Sequence, residues 1–226
     1  MALFLCDIDG TLTLGGSSYN SSMQRAIKTT VNRDIPVDVH KFQGYTDRLV
    51  LKQLFSEQSI PYNDQTLDRC LAEFGHVFPK NPHDVRVIPG VLETIAQLYP
   101  NHIFGLVTGN VEEMARKKLK MFPINGEANG PTLDSYFPFG GFGSDPHESR
   151  YDLVTLAVRR VKQIGSWTLS KNPVYIIDDA PRGIIAAREA NVIPIGITTG
   201  SYLRQDLIDA GAAHVVDNFR EIPGII

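Results

Sequence analysis

Five short apolar runs punctuate the chain: Ala2–Cys6, His102–Thr108, Val174–Ile177, Val192–Thr198 and Ala213–Val216. Each is rich in β-branched or aromatic residues, and none alternates apolar with polar. Each therefore predicts a strand buried on both faces. Between them the period lengthens to that of a helix. Residues 151–164 carry Leu153, Leu156, Ala157, Val161 and Ile164 at helical spacing, with Arg159, Arg160 and Lys162 elsewhere. Residues 181–190 open with Pro181, a first-turn signal, and continue through Ile184, Ile185 and Ala187. Residues 91–98 and 111–121 also read as helices. Strand alternating with helix predicts an α/β fold with a parallel sheet covered on both faces.

The rhythm breaks between about Ser17 and Val85, where no buried strand is predicted. That stretch reads as helices at Ser21–Val31, Thr46–Ser56 and Asp64–Phe78, with Asn20 and Asp64 as expected N-caps. Pro79, Pro82 and Pro89-Gly90 mark the return to the sheet. The pattern divides the chain into a core of residues 1–14 and 86–226 and a helical insertion of residues 15–85.

Composition narrows the function. The chain has 226 residues, 42% of them hydrophobic, enough to bury a core. The 22 basic and 25 acidic residues give a net charge of −3, without the basic excess of a nucleic-acid surface. The two cysteines, Cys6 and Cys70, are expected to be reduced and buried. The first residues lack the basic region and long apolar run of a signal peptide, and no stretch approaches a membrane span. The expectation is a soluble cytoplasmic protein with no nucleic-acid or membrane partner, as a monomer or homodimer. The six histidines show no metal-ligand spacing, and Trp167 reads as a packing residue.

Four segments carry chemistry. The first is Asp7-Ile8-Asp9-Gly10-Thr11-Leu12-Thr13, directly after the first strand. In an open parallel sheet, ligands bind at the carboxyl ends of the strands. Two carboxylates there repel one another unless a cation lies between them, so a divalent ion is expected. One carboxylate can attack or hold metal while the other moves a proton. An isolated Asp-x-Asp more often caps a turn. The full string instead resembles the first motif of the haloacid dehalogenase-like hydrolase superfamily.

The other segments follow in that family's order. Val107-Thr108-Gly109-Asn110 ends a strand with a hydroxyl and offers backbone N–H donors to a phosphate; Asn110 could equally cap the next helix. Arg150 lies just inside a helix and is similar to the family's third, cationic position, where a planar fork suits phosphate oxygens. Asp178-Asp179-Ala180-Pro181 resembles the acidic fourth motif. Relatives often carry a further Asp where this chain has Gly183, a departure that leaves Asp178 as the expected substitute.

The resemblance implies a Rossmann-like three-layer α/β/α core with an inserted helical cap, most similar to phosphoglycolate phosphatase-like members. It implies a phosphatase acting on small phosphorylated metabolites through an aspartyl-phosphate. Asp7 would be the nucleophile, Asp9 the general acid and base, and Thr108 and Arg150 would complete the catalytic set. Asp7, Asp9, Asp179 and Asp178 would serve Mg²⁺, and Gly10, Thr11, Gly109 and Asn110 would bind phosphate. Within that superfamily dehalogenases and phosphonate hydrolases typically lack an Asp two residues after the nucleophile, so the resemblance, with Asp9 present, implies phosphate-ester chemistry. The segment Gln43–Leu51 resembles the cap's substrate-facing loop, so Thr46, Asp47 and Arg48 are expected to meet the leaving group, although Thr46 also fits a helix cap. His147 lies near Arg150 in sequence, with a surface role the simpler expectation. A phosphosugar mutase of the same superfamily, or a non-catalytic binder keeping the fold, are the alternatives.

Overall fold

The computed structural model describes every residue except Gln43, Asn81, Asn125, 128–129 and 163–171. Ile164 and Trp167, and Gln43 of the substrate-facing loop, fall outside the described residues.

Six parallel strands form the central sheet: β1 (Leu3–Cys6), β4 (Ile103–Val107), β5 (Gly140–Gly141), β6 (Val174–Asp178), β7 (Ile193–Ile197) and β8 (His214–Val216). Their order is β5-β4-β1-β6-β7-β8. Both faces of β1 are buried. Phe4 and Cys6 join one apolar cluster with Phe104, Leu106 and α4 (Val91–Leu98); Leu3 and Leu5 join another with α6 (Arg150–Val161) and α7 (Pro181–Glu189). This double burial explains why the strand sequences do not alternate. The register places Phe4 opposite Phe104 and Tyr175, whose rings stack on it at 5.2 and 5.3 Å. The fold is the three-layer, Rossmann-like α/β arrangement expected, and it brings the carboxyl ends of β4, β1 and β6 side by side.

The chain leaves and re-enters this core through a two-stranded antiparallel ribbon, β2 (Thr13–Leu14) against β3 (Arg86–Val87). Between them run α1 (Ser18–Val31), α2 (Asp47–Glu57) and α3 (Asp64–Val77), which enclose an apolar cluster of their own. Val111 and Met114 join that cluster, the latter from α5 (Glu112–Lys120). Lys117 of α5 donates to the carbonyls of Gly75, His76 and Phe78, a cation placed on the C-terminal end of α3.

Three capping expectations are corrected. Asn20 lies inside α1 rather than before it, and its side chain accepts from the Val39 N–H. Helix α1 begins earlier because Asp84 accepts from the Gly16 and Ser17 N–H groups and so supplies the missing acceptor. Asp64 is the first residue of α3, and Asn63 is its cap, accepting from Thr66 N at 2.9 Å. Asn110 does not cap α5; the Asp47 carboxylate accepts from Val111 N at 2.7 Å, and Ser144 accepts from Glu112 N. Thr46 does cap α2, accepting from Leu49 N. The strand β5, the ribbon and α8 (Arg204–Asp209) were not anticipated. Cys6 and Cys70 are free and buried.

Candidate active site

Each motif residue is delivered by a strand end or a helix start. Asp7 follows β1 and its N–H donates to Ile177 O of β6. Asp178 ends β6, and its carboxylate accepts from Ala180 N at 2.8 Å. Arg150 opens α6, whose preceding Ser149 caps it through Asp152 N. From there Arg150 Nη1 reaches Asp7 Oδ1 at 3.1 Å, Asp178 Oδ2 at 3.4 Å and the Val107 carbonyl at 3.2 Å. Its buried Nε has no hydrogen-bond partner among the described residues. Thr11 donates to Asp179 Oδ1 at 3.2 Å. Gly10 turns with φ +89°, and a Cβ there would lie 2.3 Å from Asp179 Oδ2, so only glycine lets the carboxylate approach.

Asp7, Asp178 and Asp179 each bring an oxygen within 4.8 Å of the others, and all three are buried. Burial pushes the Asp7, Asp178 and Asp179 carboxyls upward. Arg150 opposes the rise at Asp7 and Asp178, while the neighbouring carboxylates reinforce it. Burial alone would lower the Arg150 guanidinium, but the charges of Asp7 and Asp178 more than reverse that and raise it. Three crowded carboxylates with one guanidinium form an all-oxygen, anion-rich donor set. Its chemistry fits a hard divalent cation such as Mg²⁺.

A cavity of about 460 Å³ opens over Asp7, Asp9 and Asp179, and α1, α2 and the segment between them roof it. Residues 4–197 match the sequence family of the haloacid dehalogenase-like hydrolases. The chain belongs to that family. It is 26% identical over 235 residues to the "Probable phosphatase IndB" of Dickeya dadantii, covering 98% of this chain and 92% of that one. A hydrolase from Pseudomonas syringae superposes with TM-score 0.68 at 21% identity, covering 99% and 97% of the two chains. A structure described as a predicted phosphoglycolate phosphatase from Haemophilus somnus gives TM-score 0.68 at 19% identity, covering 100% and 97%. These likenesses show the shared fold.

In this haloacid dehalogenase-like hydrolase, Asp7, Asp9, Gly10, Thr108, Gly109, Asn110, Arg150 and Asp179 all line the cavity. Thr11 and Asp178 stand behind that lining, supporting Asp179 and Arg150. Thr46 and Arg48 do not face it. Thr46 caps α2 and donates to the Glu148 carbonyl. Arg48 is buried elsewhere, with its Nε on the Asp145 carbonyl and its Nη2 on Asp68. The helix turn between them sends Asp47 into the cavity instead, where its carboxylate accepts from the Tyr19 hydroxyl at 2.6 Å. Burial pushes the Asp47 carboxyl up to about 7, against the lowering effect of the Tyr19 and Val111 hydrogen bonds. His147 does not line the cavity.

The sequence reading missed Lys118. This buried side chain of α5 holds both Asp9 oxygens, at 2.6 and 2.7 Å, and Asn110 Oδ1 at 2.9 Å. It lies in the charged run Arg116-Lys117-Lys118, which reads as a solvated face. Its one signal is a position two helical turns beyond Asn110. The loop Thr199–Tyr202 after β7 was also missed; it lines the cavity, and Thr199 donates to the Gly10 carbonyl.

Proposed function

We propose that this hydrolase is a Mg²⁺-dependent phosphatase that cleaves small phosphorylated metabolites through an aspartyl-phosphate. The observation that carries the reading is the Arg150 bridge between Asp7 and Asp178, beside Asp179 and at the floor of a roofed cavity. Asp7, at the floor, attacks phosphorus through one carboxylate oxygen. The bond from phosphorus to the ester oxygen breaks, and Asp9 protonates that leaving oxygen. Water then attacks the same phosphorus, Asp9 takes its proton, and the bond to Asp7 breaks to release phosphate. The Thr108 hydroxyl, the backbone around Gly109 and Asn110, and Arg150 receive the charge on the phosphoryl oxygens. Asp7, Asp178 and Asp179 would hold Mg²⁺, with Asp9 contributing from its backbone. The cation supplies charge neutralisation to the phosphoryl group when bound.

Residues 15–85 act in this reading as a cap that excludes water and chooses the leaving group. Among the described residues no helix is long and apolar enough to cross a membrane. The test is phosphate release from an aryl phosphate and a panel of small phosphate esters, with and without Mg²⁺, beside Asp7→Asn. Release that requires both the cation and Asp7 supports the reading. Release that survives Asp7→Asn overturns it.

A further inference from the structure

The cavity is far larger than a phosphoryl group, and its walls describe what else fills it. Its floor is acidic, with Asp7, Asp9 and Asp179. Its roof is mostly apolar and aromatic, formed by Phe42, Tyr45 and Val50, with Tyr19 and Asp47 as the polar groups beside them. Among the described residues two cationic side chains line it, both already engaged, and the exposed imidazole of His40 lines it as well. Lys118 holds Asp9 and Asn110, and Arg150 holds Asp7 and Asp178. Arg182 stacks over Tyr45 at 4.4 Å but lines the adjoining cleft, not this cavity.

This distribution matters for the leaving group. Among the described residues, a carboxylate carried into such a space finds no buried cation left free, only the exposed His40, and it lies beside the Asp9 carboxylate, so its desolvation is poorly compensated. A neutral alcohol gains instead. Its apolar face can lie on the rings of Phe42 and Tyr45, and its hydroxyls can donate to Asp47 or exchange hydrogen bonds with Tyr19. We infer that the preferred substrate is the phosphate monoester of a neutral, hydroxyl-bearing alcohol with an apolar face, such as a ring, and not that of a short hydroxy acid. The inference rests on the phosphatase reading of this site and departs from the phosphoglycolate-like members that the sequence resembles.

The test separates binding from turnover. Asp7→Asn protein with Mg²⁺ is titrated calorimetrically with ribose 5-phosphate, phenyl phosphate and 2-phosphoglycolate. The two esters of neutral alcohols are expected to bind at least about tenfold more tightly than 2-phosphoglycolate, whose alcohol part carries a carboxylate. Tyr45→Ala is expected to erase most of that preference, and His40→Arg to narrow it by strengthening 2-phosphoglycolate alone. Binding of 2-phosphoglycolate as tight as or tighter than both other esters overturns the inference, as does failure of both other esters to bind. Turnover of the same esters by the unmodified protein reports on the phosphatase reading separately. Preferential binding of an ester of a neutral alcohol without hydrolysis overturns that reading and leaves the class of ligand standing.

Discussion

The Asp178 carboxylate fills the space into which a side chain at position 183 would project. A Cβ on Gly183 would lie 1.9 Å from Asp178 Oδ2 and 2.1 Å from its Cγ. In the proposed active site Asp178 would therefore stand in for the acidic residue absent at 183, its carboxylate coming from the end of β6 rather than from the first turn of α7. Gly183→Ala forces the Asp178 carboxylate away from Ala180 N and Arg150. The expected cost is about 1–3 kcal/mol of stability, read from urea midpoints, with at least about a tenfold drop in phosphate release. The exchanged pair Asp178→Gly with Gly183→Asp is expected to recover part of the loss seen in each single variant, because the two positions share one space.

The same contact shows what sequence pattern reveals and what it hides. Asp7, Thr108 and Asp178-Asp179 were legible because each follows an unbroken apolar run, and such runs mark strands covered on both faces, as Leu3 and Phe4 are. The strand β5 was not legible: Gly140 and Gly141 have no side chains to show a pattern. A Cβ on Gly141 would lie 2.2 Å from the Leu153 carbonyl, so close packing against α6 requires its absence. Lys118 was hidden for a different reason. Its partner Asp9 lies 109 positions away, and its neighbour Lys117 serves α3 instead. Helix spacing distinguishes such neighbours only once the packing of the helix is known.

Arg48 separates the two accounts of the roof. As a substrate ligand its loss would raise KM. As placed, it ties α2 to the Asp145 carbonyl and to Asp68 of α3, and its side chain is almost fully buried while that of Asp68 is well exposed. Arg48→Ala is therefore expected to cost about 1–2 kcal/mol of stability, with KM changed less than about twofold once the protein is folded. Urea denaturation and steady-state kinetics on the same preparation check this. A large rise in KM at unchanged stability would return Arg48 to the cavity.

Lys118 predicts the reverse division. Its ammonium is buried, whereas Asp9 is partly open to solvent. Removing the cation therefore leaves a carboxylate that water can still reach. Lys118→Met is expected to change stability by no more than about 1–2 kcal/mol and to lower kcat by about 10²-fold, since Asp9 is no longer held toward the cavity. Lys118→Arg keeps the charge but not the compact donor, and should recover only part of the rate. Single-turnover rates of phosphate release, beside the denaturation curve of each variant, decide between this positioning role and a purely structural one.

Asp47 makes stability depend on pH in a defined direction. Its carboxyl is raised to about 7 in the folded chain, chiefly by burial, against about 3.9 when unfolded. Between those values the folded protein keeps a proton that the unfolded chain has released, so this group's contribution to stability falls as pH rises from about 4 to about 7. Asp47→Asn removes that loss without leaving a partner stranded. Its carbonyl oxygen can accept from Val111 N, while its amide donates to the Tyr19 hydroxyl, which can reverse and accept. The variant is expected to match the parent near pH 4 and to exceed it above pH 7, by on the order of 1–3 kcal/mol. Urea midpoints of both proteins across pH 4 to 8, without added Mg²⁺, check the difference. The Asp7, Asp178 and Asp179 carboxyls titrate alike in both proteins and cancel. A constant difference across that range would show that Asp47 is ionised throughout and that the Tyr19 and Val111 hydrogen bonds outweigh its burial.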